Sequence, residues 1–171
     1  MNVSVRPTSP DDDAVTEQIE VAADALLIER FGAADWPPPT PAHERASTPG
    51  FVLVAEHIDC ATTRPLVVGF VHVLEFDGHA HLEQLSVLPS FGRRGIGREL
   101  VAAALVESRH RGHTEVTLRT YLDVPWNAPF YASCGFVVSE PRTPLLQKLV
   151  DVESALGLFE HGPRVQMTAL L

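Results

Sequence analysis

Between residues 92 and 98 the chain sets three glycines (Gly92, Gly95, Gly97) among three arginines (Arg93, Arg94, Arg98), and an apolar run follows at once. A glycine-rich turn that opens a helix presents backbone N–H groups at the positive end of the helix dipole. Such a turn is a site for an anion, most often a phosphate. Glycine lets the backbone take unusual φ or come close to the ligand, and arginine adds charge-assisted bidentate bonds to phosphate oxygens. Just upstream, His79, His81 and Glu83 alternate, so on a strand they project from one face. Imidazole and carboxylate at that spacing suit either proton transfer or half of a metal site. With no further ligand at motif spacing, no bound metal is expected.

Three phosphate-bearing ligands compete for the turn. A Walker loop needs Gly-Lys-Ser/Thr, which is absent. A dinucleotide fingerprint would read Gly-x-Gly-x-x-Gly after an apolar parallel strand. This turn reads Gly-x-x-Gly-x-Gly, and the preceding HAHLEQLSV is too polar. The pyrophosphate of coenzyme A remains.

Charge is distributed to match. The net charge of the 171 residues is −9, which argues against nucleic acid as a partner. Residues 89–119 nevertheless hold six of the 13 Lys+Arg against three Glu, a basic island in an acidic chain. Such an island suits a small anion rather than a polymer, and the acidic remainder suits a cationic acceptor. A hydrophobic fraction of 45% and a charged fraction of 20% are those of an ordinary globular domain. No stretch approaches the roughly 20 apolar residues that cross a bilayer. The first residues lack the pattern of a signal peptide, and Cys60 and Cys134 make no disulfide framework. A cytoplasmic protein away from membranes is expected, with residues 1–171 forming one domain.

The elements that must position these residues follow from periodicity. Residues 3–6 alternate and precede Pro7, predicting a short first strand. Ser9 and Pro10 open a helix whose apolar stripe is Val15, Ile19, Ala22, Ala23, Leu26 and Leu27, ended by Gly32. The Pro-rich WPPPTPAHERASTPG predicts a surface loop with at most a helical turn. FVLVAEHI, PLVVGFVHVLEFDG and HAHLEQLSVL predict an antiparallel meander, the first two joined by DCATTR. After the turn, Ile96, Leu100, Val101, Ala104 and Leu105 form the buried stripe of a helix ended by Gly112. EVTLRTY is a strand, PWNAPFYASCGF a short helix, FVVSE a strand, TPLLQKLVDVESALGLF a helix and RVQMTALL a closing strand. A hairpin meander joined to a strand–helix–strand crossover predicts a mixed α/β (α+β-like) domain with a central mixed sheet flanked by helices.

LSVLPSFGRRGIGRELV resembles the acyl-CoA motif of the GNAT N-acetyltransferase superfamily, a strand, an Arg/Gln-x-x-Gly-x-Gly/Ala turn and a helix in that order. WNAPFYASCGF resembles that family's second signature, Asn-x-x-x-Tyr-x-x-x-Gly-Phe, and the resemblance is strongest over residues 66–140. Where many members carry Arg or Gln this chain has Gly92, which leaves Arg93 or Arg94 to meet the phosphate. The resemblance implies a mostly antiparallel GNAT-like sheet, acetyl-CoA as co-substrate, an amine acceptor on a small molecule or peptide, and a homodimer as one possibility. It implies that the backbone of Leu85, Ser86 and Val87 pairs with the pantetheine arm. Arg93, Arg94, Gly95, Ile96, Gly97 and Arg98 would wrap the pyrophosphate, with Asn127 and Phe130 lining the channel opposite. Tyr131 matches the family's tyrosine near the coenzyme sulfur, a general acid, and Glu83 or His81 falls where members place the base. By the same analogy Trp36 and the prolines after it shape the acceptor pocket. Cys134, with no base near it in sequence, is expected to pack as a small apolar residue. The rivals are an acyl-CoA-binding module without turnover, and a metal- or nucleotide-binding protein using His79, His81 and Glu83.

Overall fold

The computed structural model describes residues 3–58 and 65–171; the expected DCATTR connection and Cys60 lie outside them. Seven strands form one sheet: β1 (Val3–Pro7), β2 (Gly50–Ile58), β3 (Pro65–Phe76), β4 (His79–Val87), β5 (Glu115–Tyr121), β6 (Val137–Ser139) and β7 (Arg164–Leu170). The helices are α1 (Asp13–Phe31), α2 (Ala42–Ser47), α3 (Ile96–His110), α4 (Ala128–Ser133) and α5 (Pro144–Ala155). The sheet order is β1-β2-β3-β4-β5-β7-β6. Every neighbouring pair is antiparallel except β4 and β5, which α3 joins as a parallel crossover. The mixed α/β expectation is met, with the meander and the crossover where periodicity put them.

One face of the sheet packs on α3, burying Val71, Val73, Leu82, Leu100, Val101 and Leu118 in a single core. The expected stripe of α3 is buried at Ile96, Leu100, Val101 and Ala104, while Leu105 is only half-buried and Ser108 is fully buried. The opposite face carries a smaller cluster of Ile19, Val54, Val67 and Phe70 beneath α1.

Helix α1 departs from its expected stripe. Ile19 is fully buried, but the other buried positions are Thr16 and Glu20 rather than the alanines and leucines. Ala23, Leu26 and Leu27 line a cleft instead. The cause is Arg45 of α2, a buried guanidinium that donates to the Glu20 carboxylate and to Thr16 Oγ1 at 3.4 Å. A partner hidden 25 residues away in the chain makes a charged position the inward one. The predicted stops hold: Gly32 ends α1 in the left-handed region at φ 61°. Ahead of α1, Pro10–Asp12 form a 3₁₀ turn, where the Ser9 N–H donates to Asp12 Oδ2 at 2.7 Å.

Candidate active site

The parallel pairing of β4 with β5 runs only from Ala80↔Val116 to Leu82↔Leu118. On its other side β4 stays paired with β3 as far as Val87. The edge of β4 over residues 83–87 therefore faces β5 with free backbone donors and acceptors. A group seated there could take ladder bonds as an added strand does. The two strands diverge into a cleft of about 1030 Å³ whose walls come from α1, β4, the turn, α3, β5, α4 and α5.

A bulge sets the side chains at this divergence. Val73 pairs with Leu82 and His72 with Gln84, so Glu83 is the extra residue. Leu85 packs toward the α3 core, while Gln84 Nε2 donates to Ser86 Oγ at 2.9 Å on the opposite face. His81 and Glu83 share that face, as alternation predicted, with Nε2 and Oε2 3.7 Å apart. His79, at the far end of β4, does not line the cleft. Among the described residues no three His, Cys, Asp or Glu side chains come together in a metal-ligating group.

The two candidate bases differ in environment. His81 is buried and its Nδ1 is 2.8 Å from Thr117 Oγ1. Burial lowers its pKa to about 4, Arg119 adds to the lowering, and Glu153 opposes it. Glu83 is the open member, its side chain 46% exposed into the cleft. Surrounding protein raises its pKa, as does the charge of Glu153, while Arg164 pulls it down.

At the turn, Arg93 takes positive φ (59°) and Gly95 caps α3 at φ 88°. Gly97 sits where an added Cβ would lie 3.3 Å from Phe130 Cζ, so its small size lets α4 close on α3. Arg93, Gly95, Ile96, Gly97 and Arg98 all line the cleft. Arg94 does not; its guanidinium lies 5.2 Å over the Phe91 ring. Arg98 ties α3 to α4, donating to Ser133 O at 2.7 Å and Ser133 Oγ at 2.9 Å. Across the cleft stand Asn127, Phe130 and Tyr131, and the Leu85–Val87 edge completes the same space. Tyr131 is wedged edge-on between Phe130 and Phe136, at 5.2 and 5.8 Å. Burial pushes its phenol well above its ordinary pKa.

Strand β4, the glycine turn and α3 follow in the order the first motif gave, and β4 splays from β5 beyond Leu82. A scan for protein families matches residues 20–136 to the acetyltransferase (GNAT) family. The chain belongs to that family. Among solved structures, this GNAT domain is similar to the PaiA N-acetyltransferase of Thermoplasma acidophilum in complex with coenzyme A. That match has 17% identity and a TM-score of 0.68 over 100% of both chains. It is similar also to the ribosomal-protein alanine N-acetyltransferase of Escherichia coli (15%, TM-score 0.69, 99% of this chain and 94% of that one). A third is the N-acetylglutamate synthase of Neisseria gonorrhoeae complexed with coenzyme A and N-acetyl-glutamate. There the values are 16% and 0.69 over 100% of this chain and 35% of that one. At these identities the likeness is one of fold. Among the described residues no helix is long and apolar enough to cross a membrane.

The other end of the GNAT cleft holds groups that sequence reading did not assemble. Trp36, Pro37 and Pro38 wall it. Trp36 Nε1 donates to Asp24 Oδ2 at 3.2 Å and its ring contacts those of Phe31, Tyr121 and His161. Arg119, Glu153 and Arg164 meet at the same end from β5, α5 and β7. Nothing in the local sequence of any of the three signals the meeting. Cys134 packs half-buried against the α3 core, as expected of a small apolar residue.

Proposed function

We propose that this GNAT domain is an N-acetyltransferase that moves the acetyl group of acetyl-CoA directly to a primary amine. The carrying observation is that the β4 edge, free of β5 beyond Leu82, opens into the same cleft as the glycine turn at the start of α3. Acetyl-CoA supplies the acyl group activated as a thioester. The turn, with Arg93 beside Gly95–Gly97, suits its pyrophosphate. The backbone of residues 85–87 suits the amide-bearing arm, and Asn127 and Phe130 close the channel. The cleft offers free ladder groups along β4 and the glycine turn at the start of α3, which supports this reading.

Glu83 takes a proton from the acceptor ammonium, freeing its lone pair. The nitrogen bonds to the acetyl carbonyl carbon as the C–S bond breaks, Tyr131 gives its proton to the departing sulfur, and the second nitrogen proton leaves as the amide forms, restoring the Tyr131 phenol. A phenol raised by burial remains protonated at neutral pH. His81, neutral and bonded to Thr117, lies 3.7 Å from Glu83 and does not itself act as base.

Calorimetric titration with acetyl-CoA, with ATP and NAD as controls, tests the reading, followed by a thiol-release assay over a panel of amines. Micromolar binding of acetyl-CoA alone, with release of free thiol in the presence of an amine, is expected. Binding without turnover of any amine makes the chain a coenzyme-A-binding module. No binding removes the reading.

A further inference from the structure

Resting on that reading, we propose that the acceptor is an α-amino acid with an apolar side chain, its carboxylate held by Arg119 and Arg164 and its amine delivered to Glu83. Arg119 Nε donates to Glu153 Oε2 at 2.7 Å, and Arg164 Nη2 donates to Glu153 Oε1 at 2.6 Å. The three side chains are 6%, 10% and 10% exposed. One carboxylate thus balances two guanidinium groups where little water reaches, and uncompensated buried charge is costly. Both terminal nitrogens of Arg119 donate to no group among the described residues, and Arg164 Nε is buried without a partner. All three residues line the cleft that holds Glu83.

The acids of this end are otherwise engaged. Glu20 is bonded to Arg45, Asp24 to Trp36 and Glu153 to the two arginines. Glu83 makes no ion pair with either arginine and is the carboxylate left for an ammonium. A ligand meeting one open carboxylate and the free terminal nitrogens of Arg119 must itself be dipolar. A di- or polyamine would find a second cation facing arginine. The overall acidity of the chain, which suited a cationic acceptor, is therefore not the charge this end presents. Beside these groups the cleft is lined by Leu27 and Trp36 on one side and by Leu149, Val152 and Leu156 on the other. Val152 and Leu156 are 47% and 50% exposed, which is apolar surface for a side chain to cover.

The test is thiol release from acetyl-CoA with leucine and methionine, with their amides and methyl esters, and with spermidine. Thermal shifts of the coenzyme-A-loaded protein by the same compounds are read in parallel. The free acids are expected to be preferred by about 100-fold in kcat/KM, because a site built to bond a charged group rejects the analogue lacking it. Arg119→Gln is expected to raise KM for leucine toward that of leucinamide and to leave KM for acetyl-CoA unchanged. Equal use of acid and amide, preference for spermidine, or no shift and no turnover with any free acid overturns the proposal. The acetyl-CoA titration keeps the two readings apart. If acetyl-CoA binds and the free acids fail, the acceptor assignment alone falls; if acetyl-CoA does not bind, both fall.

Discussion

Glu83 is the bulged residue of β4, and its carboxylate lies 3.7 Å from Nε2 of His81, the buried residue two positions before it. The surrounding protein acts in opposite directions on the two, one open to the cleft and one buried. It raises Glu83 and lowers His81 to about 4. His81 is thus neutral over the working range, and the group that ionises as pH rises is Glu83. A base with a raised pKa is protonated, and inactive, up to a higher pH than an ordinary carboxylate near about 4.3. The acidic limb of kcat/KM is therefore expected above that value. Glu83→Gln should lower kcat/KM by about 100-fold and flatten the limb. An unchanged limb would move the base elsewhere.

Tyr131 is packed by Phe130 and Phe136, so removing its hydroxyl alone leaves the aromatic contacts in place. Tyr131→Phe is expected to lower kcat by about 100-fold with KM for acetyl-CoA changed less than about threefold. A parallel melting curve should show the variant as stable as the parent. Equal turnover would take Tyr131 out of the mechanism.

The two glycines at the start of α3 respond differently to substitution. Gly95 sits at φ 88° with open space around its Cα, so Gly95→Ala strains the backbone without a clash, costing about 1–2 kcal/mol and lowering Tm. Gly97 is helical and an added Cβ would come 3.3 Å from the end of the Phe130 ring. Gly97→Ala is therefore expected to be near neutral, because the helix gains about 0.5–1 kcal/mol while the ring shifts slightly. Gly97→Val would push the ring into the channel and raise KM for acetyl-CoA more than about tenfold. The opposite order of the two Gly97 variants in acetyl-CoA titrations would refute this account.

Much of this was legible because it is local. The turn, the α3 stripe and the Tyr131 helix each lie within one element, where glycine, capping and 3.6-residue periodicity speak directly. The divergence of β4 from β5, the Glu83 bulge and the Glu153 cluster depend on pairings between distant segments. Alternation along HAHLEQLSV placed Glu83 beside His81 but could not show that Gln84 turns to the same face. Likewise α1 looked amphipathic by its alanines and leucines, because the guanidinium that buries Glu20 belongs to α2.

His72, on β3, is buried with Nε2 unpartnered among the described residues. Burial and the nearby Arg45 charge lower its pKa to about 4, as burial lowers His81. A histidine depressed in the folded state is protonated more readily when unfolded. Stability is then complete above about pH 6.5, the ordinary histidine value, and falls as pH drops toward 4. Between pH 7 and 4.5 each histidine is expected to remove on the order of 2 kcal/mol. His72→Leu should keep stability at pH 7 and halve that loss in urea titrations. An equally steep loss in the variant would place the acid sensitivity in other groups.

The wall that carries Trp36 is fixed by acids on one face of α1. Glu17 Oε1 accepts the Ala42 N–H at 2.6 Å, Glu20 holds Arg45, and Asp24 holds Trp36. Of these bonds the Glu20–Arg45 pair is the buried one, with the Arg45 guanidinium also 4.7 Å over the Phe70 ring. Breaking a buried pair strands a charge, whereas replacing both partners with apolar groups removes two desolvation costs together. Arg45→Met alone is expected to destabilise by about 3–5 kcal/mol, and Glu20→Leu with Arg45→Met to recover most of it. Equilibrium urea unfolding of the three proteins checks the order. If the double variant is as unstable as the single, the pair contributes more than it costs to bury. Recovery of stability with a raised KM for the acceptor would instead mean that the pair's role is to set the cleft wall, with α1 and α2 held in register over it.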